Sequence, residues 1–235
     1  MKALIDSDII VYRVGSVTND DTLPLALSKV DAFLDNLLLL DLPDVFEYEL
    51  HLTGRNNFRF KKAVTLPYKG NRKKSSKPTH YSDIRQHLID KWSATLWDEI
   101  EADDALAIRQ HELTEEFAKT DESVIVTLDK DLDQVEGWHY NFVKKNMYKT
   151  THEEGDFKFH MQFLTGDRVD NIQGVHGIGE KKAFKLLDGK TATERWDIIK
   201  EKLGEERAIE NGHLLYMLRS HDDDFEQYLK RSGLA

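Results

Sequence analysis

Ser123-Val124-Ile125-Val126-Thr127-Leu128-Asp129-Lys130-Asp131 is a run of β-branched and apolar side chains that ends abruptly in two carboxylates. Ser123 to Leu128 fits a buried strand, which puts Asp129 and Asp131 at its C-terminal end. The start of the chain repeats the pattern: Lys2 to Ile5 leads into Asp6-Ser7-Asp8. Val45 to Leu52 alternates through Phe46, Tyr48, Leu50 and Leu52 and reads as a second strand, Phe58 to Val64 as a shorter third, and Trp138 to Val143 as another. Helical spacing covers Leu25 to Leu42, stopped by Pro43. It returns over Tyr81 to Trp97, with Ile84, Leu88, Trp92 and Leu96 inward, and over Glu101 to His111. From Phe157 onward the pattern is helical, broken by GDRVDN and GVHGIG. Strands alternating with helices predict an α/β chain with a mostly parallel sheet flanked by helices. In such sheets ligands gather beyond the carboxyl ends of the strands, where Asp6 and Asp129 would stand.

Acids concentrate in four short segments: Asp6 with Asp8, Glu101 with Asp103 and Asp104, Asp129 with Asp131, and Asp167 with Asp170. Pairs two apart at a strand end can aim at one site, and pairs three apart on a helix share a face. Taken singly, an Asp-x-Asp is commonly a helix cap or a turn. Four such segments following strands or opening helices suit oxygen-ligated magnesium. Paired magnesium ions serve phosphodiester hydrolysis.

Composition narrows the setting. With 235 residues, 40% of them hydrophobic, the chain can bury one sizeable core and a small attached subdomain. Cysteine is absent, which excludes disulfides and thiolate–zinc sites. No apolar run reaches the length of a membrane span, and the N-terminal MKALIDSD is charged where a signal peptide is apolar. A soluble, cytoplasmic protein with no membrane partner is expected. The net charge of −10 hides a basic stretch: Arg55 to Lys91 holds eleven Lys or Arg against two acids, Asp83 and Asp90. A phosphate-binding surface needs only such a local patch; a solvated basic loop is the plainer alternative.

Gly174-Val175-His176-Gly177-Ile178-Gly179 precedes a helix that opens with Glu180-Lys181-Lys182-Ala183. Glycines there permit a tight turn, and the amides at the helix start can meet a phosphate oxygen, with Lys181, Lys182 and Lys185 adding charge. A helix–turn–helix packing corner would read the same way. In Tyr68-Lys69-Gly70-Asn71-Arg72-Lys73-Lys74 an aromatic sits beside a basic run, a combination that binds unpaired bases and phosphates. Leu66 to Asp83 otherwise reads as a loop or weak helix.

In chain order, LIDSD (4–8), PYKGNR (67–72), EADDALA (101–107), TLDKDLD (127–133), GDRVDNI (166–172) and GVHGIGEKKA (174–183) resemble the flap endonuclease and 5′–3′ exonuclease family of PIN-like nucleases, especially its small phage members. The resemblance spans roughly residues 1 to 190. It implies a PIN-like catalytic domain over 1–156 with a helical arch at about 66–92. A helical DNA-binding region over 157–235 would follow, with a helix–hairpin–helix of the H3TH type at about 163–188. It implies two magnesium ions, with manganese able to substitute. Asp6, Glu101, Asp103 and Asp129 match ligands of the first, Asp104 supports them directly or through water, and Asp131, Asp167 and Asp170 match the second metal's side. Lys69 and Arg72 match arch residues that contact the scissile phosphate. Tyr68 matches an aromatic on which the terminal base stacks, and Lys73 and Lys74 continue the basic arch. The turn at Gly174, Gly177 and Gly179 matches a loop that holds duplex DNA through a potassium ion. The implied substrate is DNA with a 5′ end, flap or nick, or an RNA–DNA hybrid, cut by a monomer. One position departs from the pattern: where the family carries an Asp after the second strand, this chain has Gly54. Asp8 or a water could then complete the first site.

Two other readings remain open. A structure-specific DNA-binding protein with a weakened or lost nuclease site is favoured by Gly54 and opposed by the retained acids. A ribonuclease of the PIN class would share the acids but has no need of the glycine turn.

Overall fold

The computed structural model describes residues 1–71, 77–118 and 121–235. Its central element is a sheet of strands β1 (Lys2–Asp6), β2 (Glu47–Thr53), β3 (Thr95–Trp97), β4 (Ser123–Val126), β5 (Gly137–Asn141) and β6 (Asn146–Thr150) in the order β3-β2-β1-β4-β5-β6. All neighbours are parallel except β6, which returns antiparallel along β5. Lys2 pairs with Glu47 on one side and Ser123 on the other, so β1 and β4 end level and their acids leave the sheet together. The chain runs outward from β1 to β2 and β3 on one side and from β4 to β5 on the other. The crevice between β1 and β4 is therefore the topological switch point, where α/β sheets bind ligands.

Helices α1 (Ser7–Val17), α2 (Leu23–Asn36), α4 (Tyr81–Trp92) and α5 (Ala102–Phe117) cover the sheet. Asp6 caps α1, its Oδ1 accepting from the Ile9 amide at 3.3 Å, so the acid that ends β1 also starts the next helix. The expected long helix over 25–42 is α2 followed by one widened turn, Leu37–Asp41. The expected helix over 81–97 stops at Trp92, because Ser93 turns left-handed with φ 55° and the chain then enters edge strand β3. Phe58 to Val64 is not a strand. It forms α3 (Arg59–Lys62), with the Asn57 side chain accepting from the Arg59 amide at 2.9 Å. The apolar alternation misled because burial is inverted there: Arg59 is 2% exposed and Phe60 is 59% exposed.

Beyond the sheet lie α6 (His152–Thr165), a two-strand hairpin of β7 (Gly166–Asp167) and β8 (Ile172–Gln173), then α7 (Glu180–Leu187), α8 (Ala192–Leu203), α9 (Glu205–Leu215) and α10 (Phe225–Arg231). A boundary at 156/157 falls inside α6. Phe163, Trp196 and Phe225 centre the helical core, which also takes in Ile108 of α5 and Tyr68. No helix among the described residues is long and apolar enough to cross a membrane.

Candidate active site

A cleft of about 870 Å³ opens at the switch point and is lined by Asp6, Asp8, Glu101, Asp103, Asp129, Asp131, Asp167 and Asp170. All four acidic segments therefore meet there. Asp6 is 3% exposed and its Oδ2 accepts from the Thr127 hydroxyl at 2.9 Å. Glu101 is the N-cap of α5, and Asp103 sits in its first turn. Asp129 opens a short 3-10 turn, its Oδ1 accepting from the Asp131 amide at 2.8 Å, while Gln162 of α6 donates to Asp131 at 2.7 Å. Asp167 accepts from the Val169 amide at 2.6 Å at the tip of the β7–β8 hairpin. The helical region thus supplies two of the acids.

Crowding shapes their protonation. Desolvation, reinforced by Asp8, raises Asp6 to about 7; desolvation, reinforced by Asp129, raises Asp131 to about 8. Asp103 is also raised, by desolvation and then by Asp6 and Asp129, and desolvation raises Asp129 against the Asp131 amide. Glu101 moves the other way: burial would raise it, but Arg59 and Lys69 outweigh burial and hold it below the usual range. Such acids suit divalent cations, whose charge removes the repulsion. Among the described residues no group of three or more acids or histidines already stands close enough together to hold a metal ion. An open ring of carboxylates fits magnesium, which retains several waters and takes few protein ligands.

Lys69 stands inside this ring. Its backbone is left-handed, φ 56°, and its amide donates to the Asp170 carbonyl at 2.9 Å. Its ammonium pairs with Glu101 and lies 3.6 Å from Asp170. Tyr68 does not offer an open ring for stacking. It is 4% exposed, packs edge-on against Phe60, and its hydroxyl lies 2.7 Å from Glu101 Oε2 and 2.6 Å from Asp170 Oδ2. A phenol has one hydrogen to donate, so the Lys69 charge is needed to keep both carboxylates beside it. Arg72, Lys73 and Lys74 lie outside the described residues.

Asp104 departs most from expectation. It is fully buried and does not line the cleft. The Arg59 guanidinium grips both its oxygens, Nη2 to Oδ1 at 2.8 Å. Asp104 is therefore the counter-ion of a buried arginine, and the sequence showed no sign of Arg59 beyond a charge flanked by two phenylalanines. At Gly54 a Cβ would stand 2.2 Å from Asp98 Oδ1 and 2.5 Å from the Trp97 carbonyl, so no side chain fits without movement. Asp98 instead accepts from the Arg55 amide at 2.7 Å. Asp8, the suggested substitute, has Oδ1 bound by Arg85 at 2.7 Å and Oδ2 by the Thr53 amide at 2.9 Å. Arg13 and Arg85 also line the cleft and were not anticipated.

The glycine turn has the form its residues suggested. Gly174 brings two backbones together, since a Cβ there would meet the Leu164 carbonyl at 2.3 Å. Gly177 has φ +75°, and Gly179 caps α7. An added Cβ at Gly177 or Gly179 would meet nothing within 4 Å, and Lys181 and Lys182 are exposed beside them.

Sheet order, the acid-lined crevice and the hairpin together make a PIN-like α/β fold. Solved structures share it over nearly the whole chain. A bacteriophage T5 protein co-crystallized with metal ions superposes with TM-score 0.68 at 16% identity, covering 98% of this chain and 92% of the other. The T5 5′-exonuclease with divalent zinc bound gives 0.66 at 15% identity, covering 99% and 98%. A T5 flap endonuclease pseudo-enzyme–product complex with DNA and metal ions gives 0.58 at 14%, covering 98% and 97%. No family model matches the sequence, and no curated protein matches it.

Proposed function

We propose that this chain is a metal-dependent, structure-specific 5′ nuclease that hydrolyses DNA phosphodiesters near a 5′ end, as exonuclease, flap endonuclease or both. The observation that carries the reading is the meeting of four sequence-distant acidic segments in one cleft at the switch point, with Lys69 among them. Asp6, Glu101, Asp103 and Asp129 would hold one magnesium ion, and Asp131, Asp167 and Asp170 the other; manganese would fit the same oxygen donors. Bound there, the ions would supply a water nucleophile and neutralise the leaving oxygen. Lys69 then exchanges its carboxylate partner for the scissile phosphate and stabilises charge building on it, with Arg72 as second cation. Tyr68 orients Glu101 and Asp170 rather than stacking on a base. The turn through Gly174, Gly177 and Gly179, with Lys181 and Lys182, grips the duplex backbone, with a potassium ion at the turn carbonyls. The protein would act as a cytoplasmic monomer, and RNA–DNA hybrids such as primers are compatible substrates.

The test is cleavage of a labelled 5′-flap duplex with magnesium, with manganese and with EDTA. Short 5′ products that need a divalent metal are expected. The packing of Asp98 against Gly54 favours one other reading, a DNA-binding protein with a spent nuclease site. Tight flap binding with no cleavage in any metal would select it.

A further inference from the structure

Arg59 belongs to none of the acidic segments, yet it joins the start of α5 to the helical region. Its guanidinium holds Asp104, lies 3.9 Å from Glu101 Oε2, and donates through Nε to the Leu214 carbonyl at 3.0 Å and through Nη2 to the Tyr216 carbonyl at 2.8 Å. Leu214 is in the last turn of α9, where carbonyls lack helical partners. Asp104 completes the joint by accepting from the amides of Glu101 at 3.1 Å and Leu218 at 3.4 Å. One turn earlier on α9, Asn211 holds the hairpin by donating to the Gln173 carbonyl at 3.0 Å, with Arg207 reaching the same oxygen at 3.3 Å. Gln173 immediately precedes the glycine turn. The C-terminal turns of α9 are therefore joined through Arg59 to the start of α5, where Glu101 and Asp103 stand, and through Asn211 to the strand that leads into the glycine turn.

We propose that Arg59 is a positioning residue that holds Glu101 and Asp103 in register with the glycine turn, so that α9 sets the distance between grip and cut. The proposal rests on the nuclease reading. A planar fork with five donors suits this place, since four acceptor oxygens on three residues, Asp104, Leu214 and Tyr216, converge on it. Lysine keeps the charge but cannot reach all of them.

The test uses Arg59→Lys and Asn211→Ala in the full chain, each checked for folding by thermal melting. Two quantities are read: Mn²⁺ affinity of the DNA-free protein by calorimetry, and the product lengths from a 5′-labelled flap duplex in magnesium. Arg59→Lys should weaken Mn²⁺ binding about tenfold or more, as outer-shell partners of metal ligands do. It should also spread incision over neighbouring phosphodiesters while leaving flap binding in EDTA unchanged. Asn211→Ala should spread incision with Mn²⁺ affinity intact. A folded Arg59→Lys protein with wild-type Mn²⁺ affinity and one sharp product overturns the proposal. If that variant does not fold, a sharp wild-type product from Asn211→Ala overturns it. A wild-type protein that cleaves nothing removes the nuclease reading, and Mn²⁺ affinity unaffected by Arg59→Lys would then remove this one too.

Discussion

At the scale of the residue, neighbouring acids with similar sequence surroundings have opposite duties. Asp129 faces the cleft among like charges, while Asp104, one residue from Asp103, is sealed against Arg59. Asp129→Ala should abolish metal-dependent cleavage while leaving the metal-free melting temperature unchanged or slightly higher, because it removes repulsion. Asp104→Ala should destabilise the fold by about 3–5 kcal/mol, the usual result of leaving a buried charge unpaired, as read by denaturant titration. The raised acids also give a pH dependence. Asp6 and Asp131 bind protons more tightly folded than unfolded, near 7 and 8 against an ordinary 3.8. The folded state thus carries the extra protons between those values, and stability falls as pH rises through that window. In EDTA the melting temperature should drop from about pH 5 to 8 by this linkage. Magnesium should restore it most at the upper end, with protons released on binding. A flat or rising EDTA profile would show that these carboxylates are not crowded.

At the scale of the element, the proposed role of α7 and its turn in holding the duplex can be tested apart from the chemistry. Lys181→Ala with Lys182→Ala should weaken flap binding without touching the chemistry, raising KM and leaving kcat in place. The salt dependence of binding should flatten by about 0.9 for each phosphate no longer neutralised. An unchanged salt slope would place the duplex elsewhere. The edge of the sheet offers a second test. Gly54→Asp should lower stability by about 1–3 kcal/mol, as overpacking does, because its Cβ meets Asp98 and the Trp97 carbonyl. Adding Asp98→Gly should recover part of that loss. The parallel strands β1 and β4, α2 and α5 could be read from periodicity, since their apolar faces repeat locally. Helix α3 and strand β3 could not. Arg59 draws its burial from partners 45 and 155 residues away, and β3 is a three-residue edge whose pairing with β2 is set by the sheet.

At the scale of the whole molecule, a division into 1–156 and 157–235 does not separate two folding units. Tyr68 and Ile108 pack in the helical core, Gln162 of α6 holds Asp131, and Arg59 needs the Leu214 and Tyr216 carbonyls. A fragment ending at residue 156 would bare that core and leave the guanidinium short of acceptors, so it should lack a cooperative melting transition, whereas the full chain should unfold in one step by calorimetry. What the sequence alone determined is the set of acid-tipped strands, the alternation that makes the sheet parallel, and a glycine turn before a lysine-bearing helix. Each is a local pattern, and backbone geometry converts local periodicity into elements. Tertiary structure alone decided that Asp104 serves Arg59, that Tyr68 is buried between two acids, and that Asp98 occupies the space beside Gly54. Burial and ion pairing depend on which distant segments meet, and no spacing along the chain encodes that.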